Sequence, residues 1–319
     1  MSVPSVELSN GFKIPMLGLG TWLSPVGQVE QAVKDAIDAG YRHIDGAYVY
    51  RNEAEVGNAI AAKIDEGIVT REELFVTSKL WNIFHDPKHV RGALEKTLQD
   101  LKLNYIDLYL IHFPMGLKFI DSETLSPKTE NGEWMIDTID HAETWKAMEE
   151  LVDEGLVISI GLSNFNSKQI EYILSNANIK PVMLQCECHP YLNQKKLIEF
   201  CHEKGIAFTA YSPLGSNSRP SAKPDDPQLM EDPTILQISE KHSKTPAQIL
   251  LRWQIQRGVI AIPKSVTKSR IISNFDIFDF ELDEEDMENI DGLNRNERLI
   301  AFKDLRHHPN YPFGSNVEF

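Results

Sequence analysis

Cysteine is scarce: there are three in 319 residues, Cys186, Cys188 and Cys201. So few thiols, so tightly clustered, exclude a disulfide-stapled fold and suit a reducing compartment. With only His189 beside Cys186 and Cys188, they also fall short of a full zinc ligand set, and no metal is expected. Basic charge is short as well. The 32 Lys and Arg stand against 47 Asp and Glu, a formal charge of -15 and a pI near 5.1, which argues against general affinity for nucleic acid or anionic membranes. Any anionic ligand must then be held by a local basic cluster. No apolar run reaches the ~18 residues of a membrane span, and residues 1–7 lack the basic and apolar regions of a secretion signal. A cytoplasmic protein is expected. A third glycine is also missing: Gly18-Leu19-Gly20 runs into Thr21-Trp22 without an immediate helix, so no dinucleotide-binding fingerprint is read there.

What is present is alternation. A composition of 42% hydrophobic and 25% charged residues is that of a soluble globular protein, and 319 residues suit one barrel domain spanning 1–319. Val6-Glu7-Leu8 and Phe12-Lys13-Ile14 flank Asn10-Gly11, which predicts a β-hairpin, expected to plug the bottom of the barrel. Strand-like runs at 16–22, 41–45, 74–79, 106–112, 156–162, 182–186, 206–211 and 259–263 alternate with helical periodicity at 28–39, 53–64, 87–101, 141–154, 167–175, 194–204, 246–256 and from Arg270. Further helices are read at 233–242 and 284–292, the acidic 284–286 serving as helix N-terminal charge. The polar stretches 114–140 and 216–232 suit loops over a site, and 293–319 an irregular tail. The expected fold is α/β: a (β/α)8 TIM barrel with an N-terminal hairpin, two extra helices and long substrate loops.

Three strand ends carry polar groups where a core strand should have none. The run Y-R-H-I-D-G-A-Y-V-Y-R-N-E, residues 41–53, leaves Asp45 and Tyr50 at one strand mouth; the next strand ends in Lys79 and the one after in His112. A phenol titrates near ~10 in water, a poor proton donor unless a nearby cation lowers that value. Lys79 is expected to do this, with Asp45 as its counter-charge. A barrel aldolase or isomerase using Lys79 as a Schiff base competes, although Asp45 and Tyr50 speak against it.

His43-Ile44-Asp45 with Tyr50-Arg51-Asn52-Glu53, Leu110-Ile111-His112, Gly161-Leu162-Ser163-Asn164-Phe165 and Ile262-Pro263-Lys264-Ser265-Val266-Thr267 together resemble the aldo-keto reductases, close to the aldose and aldehyde reductase group. The likeness runs from the hairpin to Tyr311-Pro312-Phe313. It implies an NADP(H)-dependent oxidoreductase whose catalytic residues are Asp45, Tyr50, Lys79 and His112. In that scheme Tyr50 gives the proton, Lys79 stabilises phenolate character and His112 orients the carbonyl. The resemblance further implies that Ser163, Asn164 and Gln185 hold the nicotinamide carboxamide of NADPH and that Tyr211 stacks on the ring. Ser212, Leu214 and Ser216 would begin a loop across the pyrophosphate. Lys264, Ser265, Val266 and Arg270 would take the 2′-phosphate end and Asn274 the adenine, with Gly20, Thr21, Trp22 and Asp45 completing the cofactor contacts.

The substrate wall implied is Trp22, Tyr50, Trp81, His112 and Phe113, closed by Leu117 or Phe119 and by residues 299–302, for an apolar aldehyde or ketone. Phe113, Ser221 and Glu297 stand where tryptophan is usual, so a smaller, partly acidic rim is expected. His85, His89, His307 and His308 are expected at the surface. A monomer is expected. The alternative is a barrel kept as a nicotinamide-binding structural or regulatory subunit, since fold does not fix function.

Overall fold

The computed structural model describes residues 3–314. Residues 1 and 2, and 315–319 of the expected tail, lie outside the described residues. β1 (Ser5–Glu7) and β2 (Lys13–Pro15) form the antiparallel hairpin, turning at Gly11 with φ +86°. β3 (Leu19–Gly20), β4 (His43–Asp45), β5 (Phe75–Leu80) and β6 (Ile106–Ile111) follow. After a small antiparallel pair, β7 (Gly116–Leu117) and β8 (Ile136–Asp137), come β9 (Val157–Ser163), β10 (Met183–Glu187), β11 (Ala207–Tyr211) and β12 (Ile260–Ala261).

β3, β4, β5, β6, β9, β10, β11 and β12 lie side by side in chain order, all parallel, and bridges from Leu17 to Ala261 and Gly20 to Lys264 join the last strand to the first. The sheet is thereby a closed α/β barrel. Leu8 and Ile14 share an apolar cluster with Phe75, Met183 and Ile260, residues that open β5, β10 and β12, so the hairpin plugs the floor.

The helices are α1 (Val29–Ala39), α2 (Glu53–Asp65), α3 (Pro87–Leu101), α4 (His141–Asp153), α5 (Ser167–Asn176), α6 (Lys195–Glu203), α7 (Pro233–His242), α8 (Pro246–Gln256), α9 (Lys268–Phe275) and α10 (Glu284–Asp291). Their bounds follow the chemistry read in the sequence. α1 buries Val29, Ala32, Val33, Ala36 and Ile37 on one stripe and stops at Gly40, whose φ of +108° returns its N–H to the carbonyls of Ala36 and Ile37. α3, α7 and α8 each begin with proline behind a side-chain cap from Asp86, Asp232 or Thr245. α7 and α10 are the two additions. Asp286, in the acidic first turn of α10, accepts from Lys241 Nζ at 2.8 Å and pairs with His242 Nε2 at 2.7 Å, so the added helices hold each other.

Three expectations needed correction. The runs 16–22 and 259–263 yield only the two-residue strands β3 and β12, because the seam is made where glycine permits close approach. A Cβ on Gly20 would lie 2.7 Å from the Ile262 carbonyl oxygen across the seam, and on the other side one on Gly18 would lie 2.5 Å from His43 Nδ1 of β4. The stretch 114–140 is not all loop, since β7 and β8 pair within it. His85 and His308 are not surface residues: they are 2% and 3% exposed. His308 Nε2 lies 3.0 Å from the Gly116 oxygen and 2.9 Å from that of Asp137, while His141 Nε2 meets the Pro114 oxygen at 2.7 Å. His308 fastens the β7/β8 pair to the tail and His141 fastens the residue two ahead of β7 to α4, leaving only His89 and His307 with exposed surface among the four.

Burial drives His85 down to about 3, the neighbouring His141 and His308 adding to the shift, and burial likewise drives His43 to about 4. A depressed folded-state value means that the unfolded chain binds more protons below the ordinary ~6.5, so stability present above that pH is lost as the pH falls toward these values. Glu53, raised by burial to about 7, acts in the opposite sense, which makes a difference measurement the useful one. His85→Gln should flatten the dependence of Tm on pH between about 6.5 and 4 relative to the parent. Parallel slopes would acquit His85.

Candidate active site

β4 ends in Asp45, and a 3-10 turn over Tyr48–Tyr50, released by Arg51 at φ +58°, follows it. β4 pairs Asp45 with Thr77 of β5, so Lys79, two residues further on the same face, reaches the same strand mouth. Lys79 is fully buried. Its Nζ donates to Asp45 Oδ1 at 2.7 Å and to the Gly46 oxygen at 2.8 Å. The other carboxylate oxygen, Oδ2, accepts from Gln185 Nε2 at 2.8 Å. Burial pulls the Lys79 ammonium below its ordinary range, with Asp45 and Glu53 pulling it back up. Tied to two acceptors and without exposed surface, this amine is badly placed to attack a substrate carbonyl, which counts against the Schiff-base alternative.

The Tyr50 ring centroid lies 5.2 Å from Lys79 Nζ and 5.7 Å from the His112 ring, nearly perpendicular to it. The expected lowering of the phenol is not what the site does. Burial, with the charges of Asp45 and Glu53 adding, holds Tyr50 well above the ordinary value. Asp45, paired with the Lys79 ammonium at 2.7 Å, sets a negative charge against the cation beside the ring. The phenol is therefore kept protonated through neutral pH. His112 goes the other way: burial first, then the Lys79 charge, hold it well below its usual value as a neutral imidazole. A protonated phenol and an uncharged imidazole at one strand mouth can both serve the same substrate oxygen.

They open onto a cavity of about 360 Å³. That volume is in the range of small-molecule sites. Trp22, Trp81, His112 and Phe113 line it with Tyr50, together with Leu117, Ile300 and Phe302. Phe119 does not: it stacks on His89 at 3.9 Å, outside the wall. Ser221 and Glu297 also stay off the lining, whereas Trp134, from the segment between β7 and β8, is part of it. Trp134, Val49, Asn82 and Leu305 were missed by sequence reasoning. Trp134 sits in a polar stretch with no periodic pattern, and only its aromatic character among polar neighbours could have marked it.

Gly20, Asp45, Asn164, Gln185 and Tyr211 also line the cavity, and Ser212, Leu214, Ser216 and Lys264 continue the lining on the β11 and β12 side. Asn164, at φ +63°, ties three strand ends together. Its Nδ2 donates to the His112 oxygen at 2.9 Å and to Ser163 Oγ at 3.0 Å, and its Oδ1 accepts from the Tyr211 hydroxyl at 2.7 Å. Thr21, Lys79 and Ser163 stand behind the lining, Thr21 Oγ1 donating to the Asp45 carbonyl at 2.9 Å. Ser265, Val266, Arg270 and Asn274 lie beyond the cavity, along the start and body of α9; Asn274 is buried and Arg270 exposed. Among the described residues neither Lys264 nor Arg270 has an ion-pair partner, and burial lowers Lys264. No helix among the described residues is long and apolar enough to cross a membrane.

Residues 16–295 match the sequence pattern described as the Aldo/keto reductase family. Aldo-keto reductase family 1 member A1 of Gallus gallus is 52% identical over 319 residues, covering 97% of this chain and 97% of that protein. Its Homo sapiens counterpart is 52% identical over 302 residues, covering 94% and 92%. Among solved structures, an aldose reductase from Schistosoma japonicum superposes with a TM-score of 0.93 at 47% identity, over 99% of this chain and 100% of that one.

Proposed function

Because this chain belongs to the aldo/keto reductase family, we propose that it reduces aldehydes and ketones to alcohols with NADPH, Tyr50 acting as the general acid. The observation that carries this is the sealed Lys79–Asp45 pair, 2.7 Å apart, beneath a phenol and a neutral imidazole that share one cavity. Reduction leaves negative charge on the carbonyl oxygen, and donors aimed at that oxygen lower the barrier most effectively. NADPH, when bound, supplies the hydride. Tyr50 holds the proton the product needs. An alkoxide is far more basic than a phenolate, so the transfer runs downhill even from a phenol whose own value is raised. Lys79 favours the charge that forms on the phenol oxygen as the proton leaves, Asp45 holds Lys79 in place, and His112 hydrogen-bonds the carbonyl without bringing a competing charge.

The cofactor fits the residues present. Two cations without an ion-pair partner among the described residues, Lys264 and Arg270, flank the start of α9 in a chain of net charge -15, a donor set suited to a phosphate and hence to the 2′-phosphate that separates NADP from NAD. Ser163, Asn164, Gln185 and Tyr211 would hold the nicotinamide end, Gly20, Thr21 and Trp22 its edge. Ser212, Leu214 and Ser216 would pass over the pyrophosphate, with Ser265, Val266 and Asn274 at the adenosine end. The apolar wall supports apolar carbonyl substrates. We take residues 1–319 as one unit acting as a cytoplasmic monomer, without a nucleic-acid or membrane partner.

A steady-state panel of aldehydes, ketosteroids and sugars with both nicotinamides tests this. Turnover with apolar aldehydes and a marked NADPH preference are expected. Lys264→Met with Arg270→Met should erase most of that preference by raising KM for NADPH, with little change for NADH. Equal KM values for the two cofactors in the parent would contradict the phosphate site, and failure on every apolar carbonyl would undo the pocket assignment.

A further inference from the structure

We infer that Glu187 is a positioning residue that sets substrate specificity: its carboxylate clamps the tail segment whose side chains form one wall of the cavity. Glu187 ends β10 and is completely buried, where an unpaired carboxylate would be costly. Its partners explain why it is tolerated. Oε1 accepts from the Leu299 backbone N–H at 2.7 Å and faces His189 Nε2 at 2.9 Å, and Oε2 accepts from the Ile300 N–H at 2.9 Å. Two successive amides of an irregular segment are thus held by one side chain from the barrel, a partner set no repeating backbone ladder could supply.

What the clamp holds is part of the site. Ile300 and Phe302 line the cavity, and the Phe302 ring packs edge-on against Phe113 at 4.6 Å. Phe302 sits at φ +44°, a conformation a bulky residue does not adopt unaided. The anchors immediately ahead of it are the Glu187 carboxylate on the 299 and 300 amides and the Tyr311 hydroxyl, which donates to the Ala301 oxygen at 2.6 Å. Burial alone would raise the Glu187 value; the His189 bond, the Arg298 charge and the Leu299 amide outweigh it and keep the group ionised. Glu187 and Gln185 lie two apart on β10 and share a face, so the strand that reaches Asp45 through Gln185 also holds the substrate wall.

This inference rests on the reductase function only in its kinetic arm, and hydrogen exchange tests the clamp without it. In Glu187→Ala the Leu299 and Ile300 amides should exchange at least tenfold faster while barrel strand amides keep their parental rates. Glu187→Gln, which keeps one acceptor oxygen but sets an NH2 against the second amide, should fall between the two and guards against a variant that fails to fold. With NADPH, KM for a bulky aromatic aldehyde should rise about tenfold in Glu187→Ala, and kcat for a short aliphatic aldehyde should stay within about twofold. The KM effects of Glu187→Ala and Phe302→Ala should be less than additive. Unchanged exchange at 299 and 300, or equal losses on both aldehydes, overturns the clamp. A parent protein that reduces no aldehyde would overturn the function above and leave the exchange result standing.

Discussion

Tyr50→Phe is expected to cut kcat for aldehyde reduction by roughly 10² to 10⁴, the usual contribution of a positioned general acid. The ring, its packing against His112 at 5.7 Å and its place on the cavity wall all survive the change; only the hydroxyl goes. NADPH affinity, read by quenching of protein fluorescence, should therefore stay close to the parent value. The raised Tyr50 value sharpens this expectation. A phenol held protonated through neutral pH puts no lower arm of its own on the kcat profile below about 10, so the variant should be slow at every pH tested rather than slow in one window. A near-normal rate with NADPH still bound would remove Tyr50 from the mechanism and pass the proton to His112 or solvent.

The second large effect is on stability. Lys79→Met should destabilise the fold by about 3–5 kcal/mol, because it leaves the Asp45 carboxylate buried against an apolar side chain with its principal counter-charge gone. Both partners are almost without exposed surface, so solvent screening does not soften the loss. Pairing the change with Asp45→Asn removes the stranded charge and should recover much of the stability without recovering activity. Denaturant midpoints of the parent, the single variant and the double variant read this directly. A cost under about 1 kcal/mol for Lys79→Met would mean that the pair is solvated and that its link to Tyr50 is weak.

Much of this was legible in the residues. Helix bounds came through because apolar spacing, Pro at the first turn and Asp or Thr caps all agree at α3, α7 and α8. The strand mouths bearing Asp45, Lys79 and His112 were legible because a charge at the end of an apolar run has few structural uses. The closing strands were overestimated, since the closeness Gly20 allows to Ile262 is a property of two distant segments meeting. Trp134 and the buried His85 and His308 were missed for a related reason: each depends on the β7/β8 pair folding back, which a polar stretch does not announce. The direction of the Tyr50 shift differs from the expectation because sequence places a cation near the phenol but does not show the burial, with the Asp45 and Glu53 charges adding, that raises it.

The seam has one further consequence. Leu17 and Ala261, the residues that bridge it, are 244 positions apart (261 − 17), so the cylinder cannot shut until most of the nascent chain has left the ribosome. Until then β3 and its neighbours present raw, hydrogen-bond-hungry borders, and any chain truncated ahead of Ile260 keeps them for good, a standing invitation to stick to its own kind.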